Sequence, residues 1–147
     1  MKKVKKFLEH YMKLLTNSIM ETDMKNLNQA AIQILKTIKK DATIYVCGNG
    51  GSAAISNHYV VDFLKFFKEQ TDYNPKIVSL SNNIETITAV SNDIDYKYIF
   101  SYQAENLCNK NDLIIIISSS GNSKNIIELV KFAKKRKITT IGFSGFN

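Results

Sequence analysis

Five branched aliphatic residues in succession, Leu113-Ile-Ile-Ile-Ile117, run directly into Ser118-Ser-Ser-Gly-Asn-Ser123 and then into a helical pattern from Lys124 to Arg136. A run this apolar has no wet face. It reads as a strand buried on both sides, the situation in a parallel sheet covered by helices above and below. The same order occurs earlier in the chain. Thr43-Ile-Tyr-Val-Cys47 leads into Gly48-Asn-Gly-Gly-Ser52, and a helical stretch from Ala53 to Phe67 follows. Lys76–Ser79, behind the single proline Pro75, and Ile138–Phe143 make two more short strands. The stretch from Ile84 to Cys108 reads mainly as helix, broken around Ser91 to Asp95. Strands alternating with helices predict an α/β fold, a three-layer doubly wound parallel sheet.

The first 40 residues differ. Val4, Phe7, Leu8, Tyr11, Leu15 and Ile19 fall at helical spacing, and so do Met24, Leu27, Ala31, Ile34, Leu35 and Ile38. With Thr22 or Asp23 as N-cap between them, residues 1–40 read as a pair of amphipathic helices suited to oligomerisation, ahead of an α/β domain at 41–147. The opening lysines resemble a signal peptide, but Glu9, His10 and Lys13 interrupt the apolar stretch and no small-residue cleavage site follows. The longest strongly apolar stretch is five residues, against the roughly 20 that a spanning helix needs, so no membrane segment is expected. Cys47 and Cys108 form no CxxC pair, which points to a reduced, cytoplasmic protein. The net charge of +7 sits in Lys2, Lys3, Lys5 and Lys6 and again in Lys131 and Lys134–Lys137. No finger, RNP or helix-turn-helix pattern accompanies it. It reads as solvated helix faces, with an anionic small molecule favoured over nucleic acid as a partner.

The chemistry concentrates in the two loops. Glycines let a ligand approach the backbone, and a helix N-terminus offers free N–H groups. Serine hydroxyls add donors for phosphate oxygens. Serine and glycine also serve as plain turn and cap residues, but two such loops at equivalent strand ends favour a ligand. Ligands of open α/β sheets bind beyond the carboxyl ends of strands. Neither loop has the G-x-G-x-x-G order or the Walker Gly-Lys-Ser/Thr ending, so a compact phosphate is expected rather than a dinucleotide or ATP.

His58 and Asp62 stand i, i+4 on the helix after the first loop and share a face. Such a pair can ligate a divalent metal or move protons, and it can equally be an exposed surface pair. His10 lies in the lysine-rich first helix and reads as solvated. Asn92-Asp93, in the broken middle region, fits either an Asx turn or a contact to a sugar hydroxyl.

Cys47-Gly-Asn-Gly-Gly-Ser52 with His58, then Asn92-Asp93, then Ser118-Ser-Ser-Gly-Asn-Ser123 resembles the sugar isomerase (SIS) domain, and within it the bacterial phosphoheptose isomerase branch. The resemblance covers nearly the whole chain. It implies a flavodoxin-like strand order and an isomerase that interconverts sedoheptulose 7-phosphate and D-glycero-D-manno-heptose 7-phosphate for lipopolysaccharide or capsule heptose. It implies a homotetramer with sites at subunit interfaces, no organic cofactor, and zinc in some members. Carried over by motif, Gly50, Gly51, Ser52, Ser118, Ser119, Ser120 and Ser123 cradle the phosphate, and Asn49 and Asp93 contact the sugar. His58 and Asp62 are the catalytic and metal-ligating candidates, with Asp62 where the family places a glutamate. Asp62 is one methylene shorter than that glutamate, and misplacement of about 1 Å can cost about 10²-fold. The family also runs on through a further strand and helix carrying a histidine acid/base, so a chain ending at Asn147 is expected to bind better than it turns over. The competing readings are a non-catalytic SIS binding module, such as a relative that associates with the bacterial replication initiator, and a sensor of another phosphosugar.

Overall fold

The structure, a computed structural model, describes residues 2–145. Its elements follow in the order α1 (Lys2–Met20), α2 (Met24–Lys39), β1 (Thr43–Gly48), α3 (Gly51–Val61), β2 (Lys76–Ser79), α5 (Ile84–Asp93), α6 (Ile99–Leu107), β3 (Leu113–Ile117), α7 (Lys124–Arg136) and β4 (Thr139–Phe143). Between α3 and β2 the helix continues as a π-helical segment, Asp62–Phe67, and a last turn, α4 (Lys68–Gln70). The helix expected over 53–67 therefore exists but is not uniformly α. Its final third is rewound at Asp62. The chain divides into two compact units, one through Ile32 and one from Gln33.

The four strands form one parallel sheet in the order β2-β1-β3-β4. β1 leads to β2 on one side, and the chain then crosses to β3 on the other, so the connection reverses direction between β1 and β3. Alternation along the strands builds a core on each face of the sheet. Tyr45, Cys47, Ile114 and Ile116 meet Val90, Ile99, Phe100, Ala104, Ile126, Leu129 and Ala133 from α5, α6 and α7. Ile44, Val46, Ile77, Leu113 and Ile115 meet Ile38 of α2, with Tyr59, Phe63 and Phe67 packed alongside. Tyr59, Phe63 and Phe67 stack in sequence, with ring centroids 6.1 and 5.4 Å apart. The three-layer α/β expectation holds. The edge strand β4 keeps only Ile141 partly covered.

Asp23 begins α2 by accepting from the backbone N–H groups of Lys25 and Asn26 at 2.9 and 3.2 Å. It is the cap, rather than Thr22. In the unit through Ile32, α1 buries none of its residues. Its stripe of Val4, Phe7, Leu8, Tyr11, Leu15 and Ile19 is exposed throughout.

Both cysteines are free thiols. Burial, with the Asp112 carboxylate adding to it, pushes the Cys108 thiol up to about 12, and burial raises Cys47 further. At pH 8 the Cys108 thiolate fraction is on the order of 10⁻⁴. Iodoacetamide should leave both thiols unmodified in the folded protein and alkylate both in guanidinium. Labelling of the folded protein at the rate of a free thiol would contradict this.

Candidate active site

The first loop leaves β1 through Gly48, and the reason for glycine there is space. A Cβ at this position would lie 2.6 Å from Ser52 Cβ, 2.7 Å from the Ile117 carbonyl oxygen and 2.8 Å from the Ser52 carbonyl carbon. Strand β1, strand β3 and the start of α3 converge here, with Gly48 paired to Ile117 in the sheet register. Ser81 fixes the same point from the end of β2. Its hydroxyl accepts from the Gly48 N–H at 3.1 Å and donates to the Gly48 carbonyl at 2.9 Å. Gly50 has φ +54°, the left-handed region that a side chain would strain. It caps α3, and Ala53 and Ala54 donate to its carbonyl at 3.0 and 3.3 Å.

The second loop leaves β3 and opens α7. Ser118 is buried, and its hydroxyl oxygen accepts from the Gly121 N–H at 3.2 Å. The Ser120 oxygen accepts from the Asn122 N–H at 3.3 Å. Each serine thus spends a lone pair on backbone and keeps its O–H proton for a ligand. Ser123 is the N-cap residue of α7, yet its side chain makes no capping hydrogen bond. That leaves its hydroxyl available as well. Ser119 lies in the same turn and is exposed.

The two loops are joined directly. Asn49 and Asn125 exchange side-chain hydrogen bonds, Asn49 Nδ2 to Asn125 Oδ1 at 2.9 Å and Asn125 Nδ2 to Asn49 Oδ1 at 2.8 Å. The Tyr96 hydroxyl donates to Asn49 Oδ1 at 3.1 Å. Asn49, Gly50, Gly51 and Ser52 are therefore brought beside Ser118 to Ser123 in the crevice between β1 and β3. That is the switch point of the strand order, where open α/β sheets bind ligands. Sequence reasoning missed Asn125, Tyr96 and Ser81. Asn125 follows Ser123 by two residues, but nothing in its local pattern says that its partner lies 76 residues away.

His58 and Asp62 do pair, with His58 Nε2 3.5 Å from an Asp62 carboxylate oxygen, and both are solvent-accessible. At 1.5 Å per residue, His58 lies roughly 9 Å and Asp62 roughly 15 Å along the helix from Ser52. Asp93 is exposed at the end of α5 and accepts from Asn92 Nδ2 at 2.8 Å. From this segment it is Tyr96 that reaches Asn49. Asp95 caps the intervening turn, accepting from the Lys97 N–H at 2.8 Å, and this bond together with the Lys97 ammonium lowers its carboxyl below the usual range.

A catalytic zinc takes three protein ligands. His58 and Asp62 supply two, and no group of three candidate side chains exists among the described residues. The residues of one chain therefore do not fit a zinc centre by themselves, and no chemical step is derived through one. A shallow groove between α6 and α7, walled by Tyr98, Tyr102 and Phe132, shares no residue with the two loops. No helix among the described residues is long and apolar enough to cross a membrane.

A doubly wound sheet with paired hydroxyl-rich loops at its switch point has the build of an α/β domain that binds a small anionic ligand beyond its strand ends. Residues 6–145 match the SIS domain family, and the chain belongs to it. Within that family it falls among the phosphoheptose isomerases. It is 36% identical over 142 residues to the phosphoheptose isomerase of Aliarcobacter butzleri, covering 97% of this chain and 74% of that protein. It is 38% identical over 120 residues to the one from Campylobacter concisus, covering 82% of this chain and 63% of that protein. Among solved structures it is similar to phosphoheptose isomerase GmhA from Neisseria gonorrhoeae, with a TM-score of 0.85 and 29% identity over 97% of this chain and 73% of that one. These likenesses favour the isomerase over the non-catalytic alternatives.

Proposed function

We propose that this protein interconverts sedoheptulose 7-phosphate and D-glycero-D-manno-heptose 7-phosphate, in the cytoplasm, as a step toward lipopolysaccharide or capsule heptose. One observation carries the reading in a chain of this family. Two strand-to-helix loops rich in hydroxyl donors are clasped together at the β1/β3 switch point by the Asn49–Asn125 pair. The phosphate sits among Ser52, Ser118, Ser120 and Ser123, at the N-termini of α3 and α7, where free N–H groups and the helix dipoles favour an anion. Ketose-to-aldose conversion then moves one proton from C1 to C2 and one from O1 to O2. A base takes a proton from C1, the C–H electrons form the C1–C2 double bond of an enediol as O2 is protonated, and the O1 proton is lost as a proton returns to C2. Asp62 is the base of the account, and His58, 3.5 Å away, is placed to orient its carboxylate.

The reach of that base favours an assembly. A heptose 7-phosphate extended from C1 to phosphorus spans about 10 Å at roughly 1.2 Å per bond. Ser52 and Asp62 of one chain differ by about 15 Å along α3. This supports a homotetramer in which the phosphate loops of one copy meet Asp62 of another, with the exposed α1 stripe supplying apolar contact between copies. Co-expressed Asp62→Asn and Ser123→Ala chains should then show, at low substrate, more activity than the two variants mixed as separate assemblies. Absence of any such excess would place the base and the loops in the same copy.

Replacing Ser120 and Ser123 together with alanine should weaken binding of sedoheptulose 7-phosphate by about 1–3 kcal/mol, the range for hydrogen bonds to a charged group. Calorimetry reads this directly, and unchanged affinity refutes the phosphate assignment. The function itself is tested by incubating the protein with sedoheptulose 7-phosphate and following the aldose phosphate.

A further inference from the structure

The clasp between the two loops has a fixed polarity, and the backbone sets it. The Ile126 N–H donates to one terminal atom of the Asn125 amide at 2.9 Å. A backbone N–H can only donate, so that atom is the oxygen, and the other Asn125 atom is the NH₂ group. Its donation at 2.8 Å must find an oxygen, which fixes Asn49 Oδ1 opposite it. Asn49 Nδ2 then faces Asn125 Oδ1 at 2.9 Å. The Tyr96 hydroxyl, 3.1 Å from Asn49 Oδ1, is left as a donor. Counting valences completes the picture. Both lone pairs of Asn49 Oδ1 are engaged, by Asn125 and by Tyr96, and one of its two N–H groups is engaged by Asn125. A single N–H of Asn49 remains for a ligand. Asn125 is 1% exposed, so water does not compete for its two bonds to Asn49.

We infer that Asn125 is a positioning residue that locks the Asn49 amide as a pure hydrogen-bond donor, so that the β1 loop reads an acceptor oxygen of the sugar phosphate and rejects a donor there. Tyr96 belongs to the same device. It has given its proton to Asn49 and presents only lone pairs outward. The clasp also couples the loops mechanically, since Asn49 follows β1 and Asn125 lies in the first turn of α7. The inference rests on the reading that Asn49 touches the ligand, and its test separates the lock from that reading.

The lock is read without substrate. In ¹⁵N-resolved spectra the Asn49 side-chain N–H donated to Asn125 should be displaced from its free-amide shift and exchange slowly with solvent, while the second N–H exchanges freely. Asn125→Ala should return the first to free-amide values. Asn125→Asp, of the same shape, keeps an acceptor for the Ile126 N–H but removes the donor, so Asn49 must turn and spend its N–H groups on the new carboxylate. The consequence is read with sedoheptulose 7-phosphate. Asn49→Ala, Asn125→Ala and Asn125→Asp should each lower kcat/KM roughly 10- to 100-fold. Asn49→Ala/Asn125→Ala should be no worse than Asn49→Ala, and inhibition by inorganic phosphate should change less than threefold. Losses that multiply in the double variant, or a free-amide signature for Asn49 in the parent protein, would overturn the inference. A parent protein that is inert toward sedoheptulose 7-phosphate overturns the isomerase reading, while the amide spectra still decide the lock.

Discussion

Asp62→Asn should lower turnover of sedoheptulose 7-phosphate by 10²- to 10⁴-fold while leaving its binding within a few fold, because general acid–base groups contribute on that scale. Asparagine keeps the shape and a hydrogen-bond partner for His58 but cannot take a proton. Asp62 is partly exposed and stands 3.5 Å from His58 Nε2, so the substitution leaves no buried group unpaired. Asp62→Glu supplies the contrast. It restores a base with one more methylene of reach, and its turnover should match or exceed that of the parent. A turnover in Asp62→Asn equal to that of the parent would remove Asp62 from the chemistry. Asp62 begins the π-helical segment, so its direction from the helix axis is set by that rewinding. π-helical turns recur at functional sites.

The second large effect is on stability. Gly48→Ala places a methyl group within 2.6–2.8 Å of Ser52 and of the Ile117 carbonyl. Two of the three nearest atoms are backbone, at a junction held by sheet pairing and by Ser81. Neither can swing aside as a flexible side chain would. Overpacking of this kind costs about 3 kcal/mol, which for a domain of this size lowers Tm by roughly 10 °C. The phosphate loop begins at the same residue, so ligand affinity should fall with stability. Gly142→Ala is the control. Nothing lies within 4 Å of a Cβ there, and its Tm should move by only about a degree or two. Equal behaviour of the two variants would show that the β1/β3 junction yields easily.

Much of this architecture was legible in the chain because each signal was local. Leu113–Ile117 and Thr43–Cys47 are apolar over their full length since both faces of the sheet are covered, and the strands appear where those runs fall. The two Gly/Ser loops were legible for the same reason, a change from β-branched residues to turn and cap residues within a single step. What could not be read was long-range or geometric. The Asn49–Asn125 clasp joins residues whose proximity comes only from the pairing of β1 with β3. Tyr96 reaches Asn49 through the turn at Asp95–Tyr98, whose conformation depends on the Asp95 cap. The π-helical rewinding at Asp62 carries no compositional mark, because Asp-Phe-Leu-Lys-Phe-Phe is equally at home in an α-helix.

The most direct test follows the hydrogen at C1. With the protein in D₂O and sedoheptulose 7-phosphate as the only added ligand, proton and carbon NMR resolve the ketose C1 hydrogens and the aldose C1 together. The account predicts exchange of one C1 hydrogen for deuterium, accompanied by the aldose signal, with both lost in Asp62→Asn. Sedoheptulose 7-phosphate that binds yet keeps both C1 hydrogens through prolonged incubation would contradict it.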